Sequence, residues 1–241
     1  MNKNNTAIFV ITLLAVIFAV TVNFVVAAPN APIALNPITS SSRDLSSLPA
    51  QSANAVGGNV TEININTITV TKSWQGYYGN VSGTIVLQDG TNNTFYNWSS
   101  AHAKGEIYAT RVNSITWTTI NCTNITQVAT ENTFLNLTGS DADSVNNTYS
   151  RTTHPAFATG VVNFTANSCG YTTYGYVNNN SQTSSYSMVL LQSGANIVYT
   201  TITNSSTVGF DGKQHDFEIM VGENEKTTVG VTPYYFWTEF D

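Results

Sequence analysis

Charge is what this sequence has least of. Only 9% of its 241 residues are Asp, Glu, Lys or Arg, against about 25% in ordinary soluble domains. Eight basic residues stand singly against fourteen acidic ones, for a net charge of −6. No basic patch can form to neutralise phosphates, which argues against nucleic acid as a partner. Histidine and cysteine are as scarce. His102, His154 and His215 are too far apart for metal-ligand spacing, and a lone His is usually a turn or core residue. A D-x-D at Asp141/Asp143 lacks the further oxygen ligands and the Gly of a calcium loop. No metal or cofactor is expected. Cys122 and Cys169 lie in N-C-T-N and N-S-C-G, not C-x-x-C, and read as one structural disulfide in an oxidising compartment. Catalytic motifs are missing too. Gly79-Asn80-Val81-Ser82-Gly83 is displaced from a G-x-S-x-G nucleophile elbow and precedes no helix. The fourteen carboxylates have no local context that favours a glycosidase pair.

The one long hydrophobic run is at the amino terminus. Ala7–Ala28 is uncharged and almost wholly apolar, with Lys3 before it and no basic residue after it until Arg43. That asymmetry predicts export of residue 29 onward. Two fates stay open for residues 1–28. Val25-Val26-Ala27 before Ala28 suits signal-peptide cleavage, whereas 22 residues suffice for a retained membrane anchor helix. Residues 29–57 are rich in Pro, Ser, Ala and Asn without periodicity. They read as a flexible spacer rather than an arm completing a neighbour's sheet, which should alternate apolar residues.

From residue 58 to 241 the pattern is β. The fold expected is all-β: a two-sheet antiparallel β-sandwich with one short helical insertion near 125–146. Val60–Thr71 (VTEININTITVT) reads as the first strand, slipping parity at Asn66-Thr67 as at a bulge. Trp74–Trp98 reads as a hairpin turning at Asp89-Gly90, where Gly and Asn take positive φ cheaply. Odd residues Tyr77, Gly79, Val81, Gly83, Ile85 and Leu87 should face a core and the even ones water. Gly79 and Gly83 leave gaps for an aromatic from a neighbouring strand. Glu106–Val112 and Ile115–Ile120 read as strands. A helical stripe spans Ile125–Leu137 with Asn132 as its polar miss, and Ser140–Asp143 reads as the cap of a second short helix. Tyr171–Val177 follows, then a hairpin of Tyr186–Leu190 and Ile197–Tyr199. Phe217, Ile219 and Val221 alternate with Asp216 and Glu218 as a half-buried strand. Thr232–Phe240 is aromatic enough to be buried on both sides.

The N-x-S/T glycan acceptors beyond residue 29 begin at Asn59, Asn80, Asn92, Asn97, Asn121, Asn124, Asn136, Asn146, Asn163, Asn179 and Asn204. Chance would give roughly seven in this composition, so their placement counts for more than their number. Asn80 and Asn163 fall on predicted solvent faces, and Asn92 and Asn179 in turns. Attached glycans would explain how so uncharged a domain stays soluble.

The segments WQGYYGNVSG, ENTFLNL, SDADSVNNTY, CGY and DFEIMVGE, with the closing YYFWTEF, together resemble a family of secreted or membrane-anchored archaeal surface proteins over about residues 70–241. The resemblance implies an extracellular all-β domain and brings no catalytic residues. The leading expectation is therefore a non-enzymatic surface protein: an adhesion, envelope or filament component. Its partners would be the membrane, through residues 7–28 if they are retained, and surface glycans or further copies of itself. The alternatives are a carbohydrate-binding module that uses Tyr96, Trp98 and Tyr174 as stacking planes, and an extracellular hydrolase.

Overall fold

The structure is a computed structural model that describes residues 28–43, 45, 49–100, 105–205, 207–224 and 231–240. Its strands run β1 (Trp74–Gly79), β2 (Gly83–Gln88), β3 (Thr94–Ser100), β4 (Gly105–Thr110), β5 (Asn121–Cys122), β6 (Phe157–Thr159), β7 (Val162–Phe164) and β8 (Thr172–Val177). Then come β9 (Ser181–Ser193), β10 (Asn196–Ile202), β11 (Thr207–Val208), β12 (Gln214–His215), β13 (Phe217–Gly222) and β14 (Tyr235–Phe240). Two helices, α1 (Ile125–Phe134) and α2 (Val145–Thr148), lie between β5 and β6. The chain is thus built of antiparallel β-strands with one short helical insertion, where the 3.6-residue stripe placed it.

The thirteen-residue β9 centres a six-stranded sheet in the order β14-β4-β10-β9-β5. β8 and β5 share one edge of β9, at Ser181–Val189 and at Leu191–Gln192. Residues 186–191 are all buried, as in a strand covered on both faces. Met188, Leu190, Ile197 and Tyr199 pack with Ile219 and Val221 of β13, with Val128 and Val145 of the helices and with Leu135 just after α1. On the other face Val189, Leu191, Val198 and Tyr108 meet Phe157 and Phe164 of the β6–β7 hairpin. The disulfide joins Cys122 of β5 to Cys169 just before β8, tying both edge segments to β9.

α1 starts at Asn124, whose Oδ1 accepts from the Thr126 and Gln127 N–H groups, and stops at Asn136 in the left-handed region (φ 55°). The polar miss in its stripe has a structural cause. Asn132 Oδ1 accepts from the Val145 N–H at 2.7 Å and its Nδ2 donates to Asn146 Oδ1 at 2.9 Å, which fixes α2 to α1.

Several expectations are corrected. Val60–Thr71 forms no strand and is almost wholly exposed. The Trp74–Trp98 hairpin is two units: β1 pairs with β13, and β2 with β3. Asp216 separates them. Its N–H donates to the Gly79 carbonyl at 2.8 Å, and its carboxylate accepts from the Val81 N–H at 2.9 Å. The β2–β3 turn takes its positive φ at Asn92 (67°), not at Gly90. Ile115–Ile120 holds a 3-10 turn at Trp117–Thr119, whose Trp117 ring sits 5.0 Å from Tyr108. α2 is capped at Ser144, with no acidic residue in its first turn. Glu218 is buried, and so is Asp216. β14 is an edge strand in which only Glu239 is fully buried. Its outer edge meets Asn30, which exchanges two backbone hydrogen bonds with Thr238 (2.9 and 2.8 Å). The spacer is therefore pinned at its start. The glycine expectation holds: the Phe240 ring lies over Gly83, its Cζ 2.7 Å from where a Cβ would be, and Phe217 lies over Gly79.

Candidate functional site

The most exposed organised surface is the β2–β3 ribbon. Asp89 closes its turn: Oδ1 accepts from the Thr91 and Asn93 N–H groups and the Thr91 hydroxyl, and Oδ2 from Asn93 Nδ2. These donors hold the carboxyl well below the usual carboxylate range, the Asn93 side chain contributing most. Register then sets Ile85 opposite Trp98 and Leu87 opposite Tyr96, so all four side chains share one face. Ile85 and Leu87 belong to the odd-numbered set expected to face a core. The face is uncovered: Ile85 is 45% exposed, Leu87 50%, Tyr96 55% and Trp98 50%. The Tyr96 and Trp98 rings sit 4.7 Å apart, tilted by 53°. Phe95, 83% exposed, is the extra residue of the bulge between the Leu87–Tyr96 and Gln88–Thr94 pairs.

Tyr174 does not join this surface. It lies on β8, its ring under the Arg151 guanidinium at 4.8 Å and its hydroxyl donating to Thr153 Oγ1 at 2.8 Å. Ten of the eleven acceptor asparagines are exposed, and Asn146 is half-buried. Three of the ten, Asn92, Asn136 and Asn179, occupy the left-handed region, which places them at turn tips. Asn121 Nδ2 donates to the Thr119 carbonyl, and Asn204 Nδ2 to the Ser185 carbonyl.

The buried polar groups lie elsewhere and tie elements of the fold together. Glu131, buried at the sheet end of α1, accepts from both Arg111 guanidinium nitrogens and from the Tyr199 hydroxyl at 2.6 Å. Burial pushes Tyr199 well above its ordinary value, and the Glu131 charge adds to this. Arg111 also covers the Phe134 ring at 3.8 Å. Glu239 stands opposite Glu106 across β14 and β4. Its carboxylate accepts from the Gly160 N–H at 2.9 and 3.0 Å and from the Tyr108 hydroxyl at 3.0 Å, which anchors the β6–β7 hairpin. His154 Nε2 accepts from the Cys169 N–H at 3.0 Å while Nδ1 donates to the Pro155 carbonyl. His215 Nε2 pairs with Asp211 Oδ1 at 2.9 Å. His102 lies outside the described residues.

One shallow cleft runs along α1 and another lies between Ser42, Arg43 and Leu45 on one side and Ile68–Lys72 on the other; among the described residues no carboxylate lines either. Among the described residues no cluster of three metal-ligating side chains is found, and no helix is long and apolar enough to cross a membrane. Residues 7–27 of the expected export segment lie outside the described residues. No protein-family model, curated protein or solved structure matches the chain.

Sequence reasoning picked out Tyr96 and Trp98 but missed Ile85 and Leu87, because alternation marks an apolar face without saying whether anything covers it. The Asn30 bridge carried no sequence signal.

Proposed function

We propose that this chain is a non-enzymatic, exported cell-surface protein of the adhesion, envelope or filament kind, N-glycosylated and akin to archaeal surface proteins. The observation that carries this reading is the uncovered apolar face of Ile85, Leu87, Tyr96 and Trp98. A patch of that kind is an interaction surface rather than a reaction site. The exposed acceptor asparagines and the disulfide support an extracellular setting. The finer architecture that goes with it is a β-sandwich in which the β1–β13 ribbon covers one face of the large sheet, with residues 7–28 as signal or anchor helix. The test is to shear native cells and sequence the protein's amino terminus in each fraction. Recovery on the surface or in membranes, starting near Ala28 or with Ala7–Ala28 intact, is expected. A cytoplasmic protein without glycans would overturn the reading.

Glycan mass spectrometry adds a site-level prediction. Asn146 should be left unmodified while Asn80 and Asn163 are occupied, because its Nδ2 is held by the Gly139 carbonyl at 2.9 Å and its Oδ1 by Asn132.

The Tyr96–Trp98 ring pair favours one second reading, a carbohydrate-binding surface, since adjacent exposed aromatic planes stack on sugar rings. Binding on a glycan array that Trp98→Ala abolishes without loss of fold would establish it.

A further inference from the structure

We infer that residues 59–67 of one copy add as a third strand to the β2–β3 ribbon of a second copy, joining chains head to tail. The inference deepens the surface-protein reading and rests on it for where assembly takes place.

Four observations meet here. The donor segment alternates like a strand, with Ile63 and Ile65 on one parity, yet it is unpaired and exposed: Val60 102%, Ile63 58% and Ile65 87%. A sequence of that pattern in water lacks the partner it is built for. The acceptor is a two-stranded ribbon whose outer edges carry no strand among the described residues. Such a ribbon is marginal in water until a third strand or a packed layer joins it.

Both pieces also lack the usual guards. Edge strands are normally protected from pairing by Lys, Pro or inward charge. Residues 83–100 carry one charge, Asp89 at the turn, and residues 59–71 carry one, Glu62; neither segment contains Pro. Strand addition needs such edges, because backbone hydrogen bonds supply the joint and alternate side chains its register. Ile63 and Ile65 would then extend the same apolar face, standing beside Ile85 and Leu87 at the β2 edge or beside Tyr96 and Trp98 at the β3 edge.

Geometry selects a second copy. The root of the segment is fixed in its own chain: Thr71 Oγ1 donates to Asp143 Oδ2 at 2.6 Å, Trp74 Nε1 donates to the Asp143 carbonyl at 2.7 Å, and the Ser73 carbonyl accepts from the Glu223 N–H at 2.9 Å. The ribbon begins beyond the opposite end of β1, about 17 Å away at ordinary strand rise. Donor and acceptor thus sit at opposite ends of one strand, the layout of a heterologous contact that propagates instead of closing on itself. The apolar side chains named, with the backbone between them, would bury roughly 1,000 Å² per junction, at the lower end of specific interfaces. Assembly should therefore depend on concentration.

The experiment is sedimentation of the whole chain over a concentration series, with two variants. Ile63→Asp with Ile65→Asp disables the donor, and Leu87→Asp with Trp98→Asp disables the acceptor. The unmodified chain should grow beyond a dimer, each variant should stay monomeric, and an equimolar mixture should give a one-to-one dimer that grows no further. That rescue also shows that both variants fold. Hydrogen exchange of the unmodified chain gives a second measure: amides 60–67 should become protected as concentration rises. A chain monomeric at every concentration overturns the inference, as do variants that assemble normally or protection independent of concentration, which would mean that the segment docks on its own copy. A monomer found on the cell surface sinks the assembly alone, whereas an assembling cytoplasmic chain sinks the surface reading alone.

Discussion

Glu131 holds α1 to the sheet through three donors, and its loss would leave the Arg111 guanidinium with only its 3.4 Å bond to the Tyr234 hydroxyl and would strip Tyr199 of its carboxylate acceptor in a largely buried place. Breaking a buried pair by removing one side costs about 3 kcal/mol or more. Glu131→Ala should therefore lower the unfolding free energy, read by denaturant titration, by that amount, and Glu131→Gln, which keeps one acceptor, by less. Glu218 acts in the opposite sense. Burial raises its carboxyl above the ordinary glutamate value, against a lowering contribution from the Phe210 N–H. A group whose folded pKa is raised binds its proton more tightly when folded. Stability should thus increase as pH falls from neutral through that raised value, with the gain complete below the ordinary value. Glu218→Gln should remove this slope, read as melting temperature against pH for the two proteins. That carboxylate has its place because Gly209 leaves room: Oε1 sits 2.6 Å from where a Cβ would stand.

At the scale of elements, β14 depends on a glycine. Gly105 has φ 132°, and a Cβ there would meet the Glu239 backbone carbonyl. Gly105→Ala should cost roughly 3 kcal/mol from strain and clash together. Amide exchange in Glu239 and Phe240 should quicken while β9 and β10 stay protected. α1 was legible because the 3.6-residue stripe is a local signal. The β9–β10 hairpin was legible for the same reason: Gly194 takes φ 61° at its turn. β1 was not, because its partner is β13, some 140 residues on, and alternation says nothing about who pairs with whom. Nor could alternation reveal that Asp216 and Glu218 are buried, since their partners, the Val81 and Phe210 N–H groups, are fixed only by the fold.

For the molecule as a whole, the Cys122–Cys169 link closes a loop with a sequence separation of 47. Loop-closure entropy makes that worth about 4 kcal/mol. A chain with both cysteines changed to Ser should lose that stability in denaturant titration and loosen first at β5 and the residues before β8. The candidate surface was half legible. Its aromatic pair and turn could be read from the sequence, but its exposure could not, because burial is a property of neighbours.

The pinned start of the spacer has a mechanical consequence. Tension on the chain ahead of Ala28 first meets the two Asn30–Thr238 hydrogen bonds, which open with little resistance. Behind them the chain from residue 31 to residue 70 measures roughly 140 Å when drawn straight. Only then does the load reach Thr71 and Trp74 and the six residue pairs of β1 with β13. With the chain held ahead of Ala28, the domain would sit close to its tether while the Asn30–Thr238 latch is shut and farther off once it opens, its disulfide-closed core loaded last.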